Sequence, residues 1–247
     1  MRLYGYGWIG RNLSPIEVRQ LATYHAGAAS SENLGLNKPL IEPANEADIE
    51  LMVVPSQRVA KMTKQKYLED FFNKGIIQLG TYDLFRNAGN PEVRDHQEGV
   101  VTLIGQGYNR TAWGRFQGGD SNYLFCTYLG DPDPAVVRAF EYETCYYIDD
   151  PVGFASAVGA ALGAQSYSFG KCVYCQEKAL IGELKPEYSF ERMDRRTIEM
   201  VGEAMHFVKP VRYSHQMEFR FAWRVPSDVK GSLIVECPDA VKFCSKK

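Results

Sequence analysis

A chain of 247 residues that is 45% hydrophobic and 23% charged can bury one substantial core, and it sits near the upper size of a single domain. A formal charge of −2 and a pI near 6.1 argue against nonspecific coating of nucleic acid or anionic membrane, both of which demand a net basic surface, while leaving room for a local basic groove. No run of about 18 apolar residues occurs, the opening MRLYGYGWIGRN is unlike a signal peptide, and six cysteines among strand-like apolar residues fit reduced thiols; a cytoplasmic protein is expected.

In chain order, Ser14-Pro15-Ile16-Glu17 combines a cap residue, proline at the first helical position and a glutamate three after the cap, which predicts a helix to about Gly27. A connector rich in Ser, Asn, Gly and Pro follows from Ala28 to Pro43, then an apolar strand near Ile49 to Val54. Residues 1–45 thus read as a helical extension and 46–247 as the main domain, with one continuous domain as the alternative. Arg58 to Met62 predicts a strand, Thr63 a cap, Lys64 to Asn73 a helix ended by Gly75, and Ile76 to Leu79 another strand.

After Tyr82 and Arg86 a polar loop, Asn87 to Asp95, leads through Glu98 to an apolar strand from Val100 to Ile104. Gly105 to Asp120 reads as an exposed excursion. Strands are predicted at Tyr123 to Tyr128, Cys145 to Ile148, Lys171 to Tyr174, Gln216 to Trp223 and Ser232 to Glu236. Helices are predicted from the Asp150-Pro151 cap to Leu162 and between Ser189 and Phe207. The absence of βαβ alternation makes this an α+β chain with mainly antiparallel sheets and flanking helices.

The segment Gln216-Met217-Glu218-Phe219-Arg220-Phe221-Ala222-Trp223, taken as a strand of period two, puts Gln216, Glu218 and Arg220 on one face and apolar side chains on the other. The polar face either joins a cross-strand ion-pair ladder or forms a catalytic edge. A late-strand Gln-x-Glu pair resembles the motif of ADP-ribosyltransferases, especially the bacterial toxin branch, which also carries a basic residue on the first core strand and a Ser/Thr-containing strand between. Here Arg58 and Lys61 are the early basic residues, of opposite strand parity, and Phe125-Cys126-Thr127-Tyr128 is the middle strand.

The stretch from Arg58 to Cys237 also resembles a poorly characterised bacterial group related to ADP-ribosyltransferase-like toxins of phage-defence and toxin–antitoxin systems. The shared pieces are Tyr82-x-x-x-Arg86, Asp95-x-x-Glu98-Gly99, Asp150-Pro151-x-x-Phe154 and Lys209-Pro210-x-x-Tyr213 leading into Glu218-x-Arg220. The resemblance implies an ADP-ribosyltransferase-like fold, NAD as substrate without a metal, and Glu218 stabilising the positive charge that develops on the ribose. It further implies that Gln216 orients the acceptor, Arg58 or Lys61 holds the pyrophosphate, Thr127 contacts the nicotinamide ribose, and Tyr82 or Tyr128 stacks on nicotinamide. Arg86 reads either as a phosphate ligand or as part of a loop lacing shared with Asp95 and Glu98.

A nucleic-acid base as acceptor, approached through Tyr108, Arg110, Trp113, Arg115 and Phe116, and a restraining antitoxin or chaperone belong to the same expectation. A non-catalytic nucleotide- or partner-binding module of a defence system is the competing reading. Cys172-x-x-Cys175 with Cys237 and Cys244 is a poor zinc set, because six residues separate the second pair and a strand would split the first. No two of His25, His96, His206 and His215 have metal-ligand spacing.

Overall fold

Alternating side chains on two neighbouring strands, β5 (Asn122–Leu129) and β11 (Glu218–Arg224), set the geometry of the main sheet. The computed structural model describes residues 58–106, 111–175, 178–183, 202 and 205–247, which fall into two compact units. Residues 58–98, 120–171 and 215–247 form one unit; 99–106, 111–119, 172–175, 178–183, 202 and 205–214 belong to the other. The predicted N-terminal helix, its connector, the strand near Ile49 and nearly all of the predicted helix from Ser189 lie outside the described residues.

The first unit holds a six-stranded sheet in the order β13-β6-β1-β5-β11-β7, antiparallel at every pairing. Its other members are β1 (Val59–Thr63), β6 (Thr144–Ile148), β7 (Ser166–Lys171) and β13 (Cys244–Lys246). Beside it, β2 (Ile76–Leu79) pairs with β12 (Leu233–Glu236), also antiparallel. The helices are α1 (Gln65–Lys74), α2 (Tyr82–Arg86), α3 (Pro134–Ala139) and α4 (Pro151–Leu162). The described chain is therefore mixed α+β with mainly antiparallel sheets.

One face of the main sheet is the core. Val59, Phe125, Tyr146, Ile148, Phe169, Phe219, Phe221 and Trp223 are buried there with Phe154, Ala155 and Val158 of α4. Asp150 caps α4 by accepting from the Val152 and Gly153 amides, both at 3.0 Å, with Pro151 in the first turn. Small residues on α4 let it lie close to the sheet, and Trp223 Nε1 donates to the Ala155 carbonyl at 2.8 Å.

Helix α1 buries Leu68 and Phe71, and the Phe71 ring stacks on Tyr146 at 4.7 Å. Thr63 belongs to β1 and Lys64 takes the cap position, making no side-chain cap bond, which corrects the predicted cap. Gly75 ends the helix at φ 70°, the left-handed conformation that a side chain resists. A Cβ there would also lie 2.3 Å from the Pro238 nitrogen.

The second unit holds β3 (Val100–Gln106), paired antiparallel with β4 (Thr111–Gln117) and parallel with β9 (Ala179–Glu183). The expected exposed excursion is thus largely a strand, because residues 111–117 find a ladder along β3 despite their glycine and arginine. A parallel pair, β8 (Val173–Cys175) with β10 (Val208–Pro210), completes the unit. Cys172 separates β7 from β8, so the strand predicted from Lys171 divides there.

Candidate functional site

Strand β11 begins at Glu218, later than expected. Gln216 ends a 3-10 turn, and Met217 adopts φ 42°, which breaks the period-two alternation before the strand starts. Gln216 therefore does not share the strand face of Glu218 by alternation. Its amide nitrogen donates to the Glu92 carbonyl at 2.7 Å and lies 3.2 Å from Glu92 Oε2, while His215 Nε2 meets the same oxygen at 2.8 Å. These contacts strap the loop after α2 to the entrance of β11.

From Glu218 onward the alternation holds. Glu218 and Arg220 point away from the core, and Cα pairing places Tyr128 opposite Glu218, Cys126 opposite Arg220, and Leu124 opposite Ala222. The Arg220 guanidinium sits between two carboxylates. Its Nε donates to Glu218 Oε1 at 2.5 Å, and its Nη1 and Nη2 donate to Glu98 Oε1 and Oε2 at 2.9 and 2.8 Å. All three residues are buried, Arg220 and Glu98 at 1% exposure and Glu218 at 5%. Charges taken this far out of water are tolerated only when paired and hydrogen-bonded.

Strand β1 lies on the other side of β5, with Ala60 opposite Tyr128. Ala60, Met62, Tyr128, Cys145 and Tyr147 form a small cluster on the Glu218 face. Arg58 shares that parity, and its guanidinium rests 3.4 Å above the Tyr147 ring. The Tyr147 hydroxyl donates to Asp131 Oδ1 at 2.7 Å, which, with burial, pushes its pKa up to about 12. Burial, reinforced by Asp133, also raises that of Tyr128. Arg58 immediately precedes β1, which starts at Val59 and not at Arg58 as predicted, and lies over Tyr147 on the face that carries Tyr128 and Glu218; β1 and β11 are about 10 Å apart at the usual strand spacing.

Lys61 and Thr127 have the opposite parity. The Thr127 hydroxyl donates to the Phe219 carbonyl at 2.6 Å, across to the neighbouring strand and on the core face. The Lys61 ammonium lies 4.3 Å from the Phe125 ring centre and donates to the Cys126 carbonyl at 2.9 Å. Beyond Ala60 the β1–β5 ladder stops, and that lysine-to-carbonyl bond bridges the strands. Burial lowers its pKa, partly opposed by attraction to Cys126 and Glu218. Lys61 therefore acts on Glu218 through space, helping to balance two carboxylates facing one guanidinium.

Tyr82 is buried at 2% exposure with Leu124 and Ala222, farther along the Glu218 face, so it forms packing beneath that face and not an open stacking surface. Arg86 donates from Nε to the Glu98 backbone carbonyl at 2.8 Å, and its Nη2 is buried without a hydrogen-bond partner. Asp95 accepts the Gln97 amide at 3.0 Å and, through its backbone carbonyl, the Glu98 amide at 2.9 Å. Lacing of the loop is what these residues do, and the Glu98 carboxylate reaches Arg220 instead of Arg86. The Glu98–Arg220 pair was not read from the sequence; its only trace is a Glu-Gly and a Glu-x-Arg whose partners are 122 residues apart.

Of the residues expected at a nucleic-acid surface, Arg115 is exposed, whereas Phe116 is buried at 3% exposure and offers no stacking platform. Tyr108 and Arg110 lie outside the described residues. Among the described residues no group of three or more His, Cys, Asp or Glu side chains could hold a metal ion. No helix among them is long and apolar enough to cross a membrane. No protein-family model, curated protein or solved structure matches the chain.

A carboxylate fixed in orientation beside a guanidinium and away from water can stabilise positive charge developing next to it, and the same buried triad can equally serve as a structural tie between β11 and the loop at Glu98.

Proposed function

We propose that this chain is an NAD-dependent ADP-ribosyltransferase-like enzyme, with Glu218 as the carboxylate that stabilises the ribose cation. The observation that carries the reading is the lateral order β1-β5-β11, with Arg58, Tyr128 and Glu218 on one face. The first core strand, a middle strand and a late acidic strand are the three pieces whose order in the chain suggested the family. In space they are neighbours.

In this reading Arg58 takes the pyrophosphate, since its parity matches Glu218 and that of Lys61 does not. Tyr128, opposite Glu218, replaces Thr127 as the middle-strand contact to the nicotinamide ribose. The bond between nicotinamide and the anomeric carbon breaks with its electron pair leaving on nicotinamide. An acceptor nucleophile then bonds to that carbon and gives up its proton. Gln216 keeps its role toward the acceptor on the family resemblance alone; its amide is anchored to Glu92 at the strand entrance. A nucleic-acid base as acceptor, and a protein that restrains the activity, remain parts of the proposal carried by the family resemblance alone.

A second reading has one observation in its favour: Glu218 is closed into an ion-paired triad with little exposure. That suits a binding module of a defence system in which the triad is structural. Nicotinamide release from NAD by the purified protein, with and without RNA, DNA or cell extract, separates the two. We expect release that falls about 10²–10³-fold in Glu218→Ala, the usual cost of deleting a preorganised charge-stabilising group. Absence of release from folded protein under every condition leaves the binding module.

A further inference from the structure

We infer that Glu98 and Arg220 are positioning residues for the Glu218 carboxylate, an inference that rests on the proposed reaction for its catalytic consequence. An arginine fork left to itself takes a carboxylate bidentately. Here Glu98 accepts from Nη1 and Nη2, and Glu218 accepts from Nε through Oε1. Glu98 is itself fixed from both sides, its backbone carbonyl accepting from Arg86 and its amide donating to Asp95. The outcome is a carboxylate whose direction along β11 is set by a residue outside the strand. Removing the Glu98 carboxylate takes two bonds from the guanidinium that holds Glu218, and with them the constraint on its orientation.

The two partners act on the Glu218 charge with opposite signs. Arg220 favours the ionised carboxylate; Glu98, a like charge on the far side of the same guanidinium, opposes it. Tyr128 of β5 stands opposite Glu218, Lys61 of β1 attracts it through space, and His215 in the turn before β11 pairs with Glu92 of the loop after α2. None of these is altered by changes at Glu98 or Arg220.

The test is a carboxyl-carbon NMR titration of the full chain, with the Glu218 resonance assigned by its loss in Glu218→Gln. Glu98→Gln should move the Glu218 titration to lower pH and Arg220→Gln to higher pH, each by about one pH unit. Arg220→Lys keeps the charge and gives up the fork, so it should leave the titration near that of the parent. In the nicotinamide-release assay Glu98→Gln and Arg220→Lys should each lower kcat at least about tenfold, with KM for NAD changed less than about threefold, the signature of a contact needed in the transition state.

A Glu218 titration that stays put in both Gln variants, or moves the same way in both, overturns the inference. So does a kcat in Glu98→Gln equal to that of the parent. If Arg220→Gln does not fold, the Glu98→Gln shift decides. Should the parent release no nicotinamide, the reaction fails, and the NMR arm still decides the positioning of Glu218.

Discussion

Replacing Arg220 with leucine keeps much of the side-chain volume and removes the guanidinium that bridges two buried carboxylates. Breaking a buried pair by deleting one partner costs about 3–5 kcal/mol, because the remaining charge is stranded. Here one guanidinium serves two carboxylates, and Lys61 attracts Glu218 through space. At about 2–4 °C per kcal/mol for a chain of this size, the melting temperature at pH 7 should fall by about 6–20 °C. The sign of the pH dependence is specific. In the variant, burial and mutual repulsion raise the folded-state pKa of Glu98 and Glu218 above the unfolded value of about 4.3. The folded variant then binds more protons than the unfolded chain above that pH, so its stability falls as pH rises and recovers as pH drops toward 4. Calorimetry of parent and variant from pH 4 to 8 should show the gap opening with pH. A deficit below about 2 °C at pH 7, or one independent of pH, would refute this account of the triad.

Truncating Phe154→Ala removes the ring that meets Phe125, Phe221 and Trp223, and urea denaturation should show a loss of about 3–5 kcal/mol with an unchanged slope. In Gly75→Ala, a positive φ and backbone atoms of Pro238 within 2.3–2.5 Å combine, so we expect at least about 2 kcal/mol of destabilisation; an unchanged melting temperature would contradict the close approach. Tyr147, at about 12 because of Asp131 and burial, should titrate closer to an ordinary tyrosine in Asp131→Asn, followed by its ring-carbon NMR signal. Because that folded pKa is raised, the stability linked to Tyr147 is complete below about pH 10 and lost as pH rises through 12.

Most elements carrying the site were legible where local chemistry and tertiary context agree. The Asp150-Pro151 cap, Gly75 as a helix stop, and the alternation of Glu218 to Trp223 are local signals, and the structure contains each of them. Strand β7 was missed because Ser166-Tyr167-Ser168-Phe169-Gly170-Lys171 has weak strand character of its own; it is a strand because β11 offers it a ladder. Gln216 lies outside the strand predicted to include it because it ends a 3-10 turn and Met217 leaves the extended region, which no pattern of apolar positions announces. The parity of Glu218 with Arg220 could be read from spacing alone. That Glu98 completes the pair depends on where its loop meets β11, and spacing does not contain that information.

The position of β11 also orders events in time. It lies between β5 and β7, yet it is made long after both, so those strands wait for residues 218–224 before the sheet can close. Such late, long-range pairing makes for slow folding that runs through incomplete states. The same seven residues bring Phe219, Phe221 and Trp223 to the core and Glu218 to the site. During synthesis the Glu218 carboxylate and these three aromatic side chains therefore emerge within one short stretch, so the polar triad and the aromatic core are completed by the same event.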